Sequence, residues 1–183
     1  MKKLAAFVSG KGSILEAIIQ DGVRIELVLA DRECRALDIA GTARIPTELV
    51  GRIFGENFDR EEYARRVLHT LLDYGIEVVA MAGFMTVLAP FLFEEFEGVV
   101  LNTHPSLLPS FRGSTAVQDA LDAGVKFTGC TIYQATAQLD EGPIFAQQAV
   151  PVLHEDTAET LHERIKKVER VLYPQVIKKI LET

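Results

Sequence analysis

Along the first hundred residues, short apolar runs alternate with segments whose apolar positions recur every three or four residues. The runs are LAAFVS (4–9), IELVLA (25–30), the weaker RIPTELV (44–50), IEVVAMA (76–82) and GVVLNTH (98–104). The intervening segments, Ile14 to Gln20, 36–42 and Phe58 to Leu72, carry the helical period. In the last of these Tyr63, Val67, Leu68, Leu71 and Leu72 are expected on one face. Strands that are apolar throughout, rather than at every second position, imply burial on both faces, and a strand–helix alternation then implies parallel strands joined by right-handed crossovers. After residue 113 the rhythm changes. A helix over 115–123 leads to FTGCTIYQAT (127–136), a turn QLDEGP, and IFAQQAVPV (144–152), two strand-like runs close enough to pair antiparallel. A long amphipathic helix follows from Thr157, which suits a cap, with Leu161, Ile165, Val168 and Leu172 as its buried stripe. The pattern predicts one α/β domain over 1–183, a doubly wound, mostly parallel Rossmann-like sheet extended by antiparallel strands. Residues 1–100 form a nucleotide-binding-like half, and 101–183 form a second half that ends in the C-terminal helix.

Composition narrows the partners. A net charge of -7 and a pI near 5.1 would repel phosphate backbones, so nucleic acid is not expected. No stretch approaches the apolar length of a membrane span. The opening MKKLAAFVSGKG runs straight into a glycine turn, and its apolar stretch is too short for a secretory signal. It reads as a first buried strand and the protein as cytoplasmic. Cys34 and Cys130 form no framework and are expected to be inert thiols. His69, His104, His154 and His162 have no metal-ligand spacing, and no metal is expected. The expected partners are small molecules, and the protein a monomer or homodimer.

Four stretches could carry chemistry. SGKGS (Ser9 to Ser13) joins the first strand to the first helix. Its glycines allow a tight turn and leave helix N–H groups free for an anion, although an ordinary turn would look the same. It matches neither a dinucleotide fingerprint nor a Walker loop. AGFMTVLAP (Ala82 to Pro90) follows a buried parallel strand, so it either walls the crevice at the strand ends or begins a helix packed on the core. In LNTHPSLLPSFRG (101–113), Asn102 and His104 lie two apart on a strand and share a face. One offers an uncharged donor and the other a donor that charges near neutrality, ahead of a turn stiffened by two prolines. Asp140 of QLDEGP is either a turn aspartate or, if the fold brings it to His104, a partner for that ring.

Taken together, SGKGS, AGFM, LNTHPSLLPSFRG, TGCTIY and LDEGPI, in that order, resemble the phosphoribosylglycinamide formyltransferases of purine biosynthesis, over about Lys3 to Pro174. The resemblance implies transfer of a formyl group from 10-formyltetrahydrofolate, as co-substrate, to the amine of 5′-phosphoribosylglycinamide, with no metal. It implies that Asn102, His104 and Asp140 are catalytic. Gly12, Ser13, Ile14, Lys166 and Glu169 would bind the ribonucleotide. Arg60, Met85, Thr86, Val87, Leu88, Asn102, Thr136, Ala137, Gln138, Leu139 and Asp140 would bind folate, which makes 101–183 the folate-binding and catalytic half.

The sequence departs from the family pattern at Ile14 (usually Asn), Thr86 (usually Arg), Ser114-Thr115 (usually Leu-His) and Tyr133 (usually His). At position 14 only the backbone N–H is then available to a phosphate. FRG around Arg112 is similar instead to formyltransferases acting on initiator tRNA or nucleotide sugars. Three alternatives stay open: a sugar-amine formyltransferase, a formyl-folate hydrolase, and a non-catalytic folate- or nucleotide-binding module.

Overall fold

The computed structural model describes residues 1–53, 55 and 58–183. Five strands run parallel: β1 (Leu4–Val8), β2 (Leu27–Ala30), β3 (Thr47–Leu49), β4 (Val78–Met81) and β5 (Val99–His104). Then β6 (Phe127–Gln134) pairs antiparallel with β5, and β7 (Ile144–Pro151) antiparallel with β6, giving the order β3-β2-β1-β4-β5-β6-β7. The mostly parallel, doubly wound sheet with an antiparallel extension is the architecture expected from the sequence.

The helices are α1 (Ser13–Gln20), α2 (Arg35–Thr42), α3 (Arg60–Tyr74), α4 (Pro90–Glu95), α5 (Ala116–Asp122) and α6 (Ala158–Glu182). Alternate strand residues feed two cores. Leu4, Ala6, Val8 and Leu101 pack with α1 and α6, whereas Ala5, Phe7 and Val100 pack with α3 and α4. This two-sided burial explains why the strands are apolar throughout.

Several boundaries differ from expectation. Ile25 and Glu26 precede β2, and β3, one of the two edge strands, keeps only three residues. The third helix starts at Arg60, where Asp59 accepts from the Glu62 N–H as its cap, and runs on to Tyr74. Leu72 is 63% exposed while Leu71 is fully buried. The apolar stripe therefore ends one residue earlier than the sequence pattern implies. Residues 82–89 are irregular rather than helical, and α4 begins only at Pro90, a favoured first helical position. Thr157 caps α6 as expected, in a reciprocal arrangement with Thr160.

Candidate active site

The order β3-β2-β1-β4 reverses the winding direction between β1 and β4, and a doubly wound sheet opens its crevice at the carboxyl ends of those strands. The loops after both strands meet there. Gly12 caps α1 with φ 78°, and a Cβ at this position would lie 2.7 Å from Ile39 Cδ1 and 3.0 Å from the Ala36 Cα. Only glycine fits both the conformation and the space. Ser13 opens α1, while the Ile14 side chain is buried in the core.

Across the crevice, the loop after β4 is tied down by polar contacts. Ser9 Oγ accepts from the Met85 N–H at 2.8 Å, and Thr86 Oγ1 donates to Asp31 Oδ2 at 2.6 Å. Burial alone would raise the Asp31 pKa, but hydrogen bonds from Arg32, Thr86 and Ser9 outweigh it and hold the carboxylate below its usual 3.8. Thr86 thus spends its hydroxyl on the scaffold beneath the loop. Met85 and Val87, alternate residues of the loop, are exposed at 72% and 54%, whereas Leu88 is buried.

β5 supplies the polar pair. Its period of two sends Leu101 and Thr103 toward α6, and Asn102 and His104 to the other face. α6 reads the first set one turn apart: Tyr173 donates its hydroxyl to the Leu101 carbonyl at 2.8 Å, and Glu169 accepts from Thr103 Oγ1. Burial raises the Glu169 pKa, partly offset by the Thr103 hydrogen bond and by Lys166 and Arg170. Lys166 is half-buried and paired with Glu163 at 2.8 Å.

The segment after His104 is held by Thr131, which faces His104 across the sheet. Thr131 Oγ1 donates to the Ser106 carbonyl at 2.7 Å and accepts from the Leu108 N–H at 3.0 Å. The Leu108–Pro109 peptide is cis. This turn delivers the Phe111 carbonyl to His104 Nε2 at 2.7 Å, with Phe111 itself at φ 53°. A bulky residue in the left-handed region is a local strain of the kind that gathers at functional sites.

The fourth stretch reaches the ring from the hairpin. Asp140 is buried at φ 56°, and its Oδ2 lies 3.5 Å from His104 Nδ1 while accepting from the Gly113 N–H at 2.9 Å. The turn is tight because Gly142 passes against the Gln134 carbonyl, leaving no room for a Cβ. Both ring nitrogens thus face oxygen acceptors, Nε2 the Phe111 carbonyl and Nδ1 the Asp140 carboxylate. Asp140 Oδ1 accepts from the Tyr133 hydroxyl at 2.8 Å, and the same hydroxyl accepts from Asn102 Nδ2 at 2.8 Å.

Asn102, Tyr133 and Asp140 line a cleft together with Met81, Phe84, Phe93 and Ala135, Met85 to Leu88, and Thr136 to Leu139; His104 lies behind Asp140 and is not among the lining residues. Thr136, Ala137, Gln138 and Leu139 form one wall, where Leu139 is 64% exposed. Arg60 stands apart: it is exposed at the start of α3 and is not among the lining residues. Sequence reasoning missed Asp31, and placed Ser9 in the first loop without its bond to Met85, because both parts depend on long-range contacts. It noted Tyr133 only as a departure, although its position opposite Asn102 follows from the register of β5 and β6. Among the described residues, no group of three or more His, Cys, Asp or Glu could hold a metal ion, and no helix is long and apolar enough to cross a membrane.

A doubly wound sheet with Asn and His on its last parallel strand and Asp on the following antiparallel hairpin defines a class: the chain belongs to the formyl transferase family, whose pattern matches residues 2–177. Its relatives are more particular. It is 42% identical over 175 residues to the phosphoribosylglycinamide formyltransferase of Mycobacterium tuberculosis, covering 93% of this chain and 80% of that one. It is 36% identical to the Bacillus subtilis protein of the same name, covering 99% and 95%. The crystal structure of phosphoribosylglycinamide formyltransferase from Brucella melitensis superposes with a TM-score of 0.88 at 39% identity, covering 100% of this chain and 96% of that one.

Proposed function

We propose that this chain transfers the formyl group of 10-formyltetrahydrofolate to the amine of 5′-phosphoribosylglycinamide. The observation that carries the reading is that Asn102 and Asp140 line an apolar cleft with His104 against Asp140 behind it, in a chain whose named relatives are phosphoribosylglycinamide formyltransferases. The cleft suits a flat, largely apolar donor. Phe84 and Leu88 give an apolar wall, while exposed Met85, Val87 and Leu139 give apolar edges that a ring system would cover. Met85, Thr86, Val87 and Leu88, with Thr136, Ala137, Gln138, Leu139 and Asp140, are assigned to that donor. Gly12, Ser13 and the Ile14 N–H are assigned to the ribonucleotide phosphate, with Lys166 and Glu169 on the same face of the sheet.

Attack of the amine on the formyl carbon places negative charge on the formyl oxygen and an extra proton on the attacking nitrogen. Asn102 keeps one N–H beyond the one donated to Tyr133, and on this reading that N–H serves the oxygen. His104 supplies the second donor once the Phe111 carbonyl yields Nε2. That exchange conserves the number of hydrogen bonds. It is favourable only for an oxygen carrying more charge than a carbonyl, which makes the pair selective for the transition state. Asp140 faces the His104 ring at Nδ1, accepts the amine's proton through water, and passes it to the folate N10 as the formyl C–N10 bond breaks and the carbonyl re-forms. No covalent intermediate with the chain is required.

The test mixes the protein with a 10-formyl folate analogue and glycinamide ribonucleotide and follows the absorbance of the deformylated product. Turnover that requires the ribonucleotide is expected. Turnover with water alone would make the protein a hydrolase, turnover with a nucleotide-sugar amine instead would make it a sugar-amine formyltransferase, and none with any acceptor would make it a binding module.

A further inference from the structure

The three buried tyrosines use their hydroxyls differently. Tyr63 has no hydrogen-bond partner among the described residues, and Tyr173 anchors α6 to a backbone carbonyl. Tyr133, 1% exposed, spends both of its bonds on Asn102 and Asp140. A carboxylate only accepts, so the single phenolic hydrogen goes to Asp140 Oδ1, and the oxygen must accept from the Asn102 amide. This fixes the amide with Nδ2 toward Tyr133 and Oδ1 away from it. It also divides the carboxylate, Oδ1 held by Tyr133 and Oδ2 facing His104. Burial first, then the bond to Asp140, raises the phenol's pKa, so the proton stays in place while neighbouring groups exchange theirs.

From this geometry we infer that Tyr133 is a positioning residue that joins Asn102 to the His104–Asp140 pair as one rigid unit. The role rests on the formyl-transfer reading of those three residues. Tyr133 does not touch the reacting atoms; it removes the amide flip of Asn102 and the carboxylate rotation of Asp140. β5 and β6 set it directly opposite Asn102.

Tyr133→Phe keeps the ring and removes both bonds. Its kcat is expected to fall at least about tenfold, as small misplacements of reacting groups do. Both KM values should stay within about threefold, because no uniform binding is lost. In an Asn102→Ala background the same change should cost clearly less, since one of the two arms it joins is already gone. Tyr133→His offers one donor and one acceptor nitrogen from the same strand position, and should recover part of the loss; it also serves if the Phe variant does not fold. An unchanged kcat, a rise confined to the donor KM, equal costs in both backgrounds, or a His variant no better than Phe each overturns the role. Absence of wild-type turnover with the ribonucleotide overturns the transfer reading and this role together. Normal wild-type turnover beside an unaffected Phe variant overturns the role alone.

Discussion

His104 is 6% exposed, belongs to neither hydrophobic core cluster, and turns its ring nitrogens to the Phe111 carbonyl and Asp140, so its removal should leave the fold intact. His104→Ala is expected to lower kcat by about a hundredfold or more, the cost of one oxyanion donor, with ribonucleotide affinity nearly unchanged. Retention of a tenth of the activity in steady-state assays would remove it from the reaction. Glu169 lends itself to a test of stability instead. Its folded pKa lies above the ordinary 4.5, chiefly through burial, so between those two values the folded chain binds more protons than the unfolded one. Stability from this group is therefore present below about 4.5 and declines as pH rises through the raised folded value. Glu169→Gln, which can still accept from Thr103, should flatten that part of the stability–pH curve. Urea melts at several pH values decide it, and parallel curves for the two proteins would count against the assignment.

Elements differ in how plainly the sequence announces them. Asn102 and His104 could be placed on one face because a strand's period of two is independent of the rest of the fold. Long periodic segments such as α6 were legible for the same reason, whereas Leu72 was misplaced because it sits at the margin of the α3 stripe. Asp140 could be read only as a turn residue or by resemblance. What makes it a partner of His104 is a hairpin whose first strand pairs with β5, and no local pattern encodes that pairing. Tyr133 was hidden more deeply, since its role needs the register of β6 on β5 as well as the turn beyond it. The loop between β1 and α1 was ambiguous in sequence, and its structure resolves the steric part of the question. Gly12→Ala should destabilise the protein by more than about 1 kcal/mol, adding contact with Ile39 and Ala36 to an unfavourable φ, and should raise the ribonucleotide KM. Denaturant melts and steady-state kinetics would show both effects; a variant with wild-type stability would contradict the packing described for this turn.

At the scale of the molecule, the site straddles the seam where the sheet changes from parallel to antiparallel. Asn102 and His104 belong to β5, flanked by strands on both sides, while Asp140 belongs to a turn whose following strand, β7, is the sheet's outer edge and largely exposed. Edge elements with exposed hydrogen bonds open before the core does. Activity should therefore disappear at lower denaturant than secondary structure. The chain has no tryptophan, so circular dichroism is the natural comparison with the assay. Coincident midpoints would show the hairpin to be as firmly docked as the core. The Gly12 loop lies wholly within the parallel half. If the Gly12 loop holds the ribonucleotide phosphate and Asp140 moves the proton, as proposed, a chain caught with its hairpin undocked would keep the first and lose the second, so that an immature or fraying molecule occupies substrate without reacting with it.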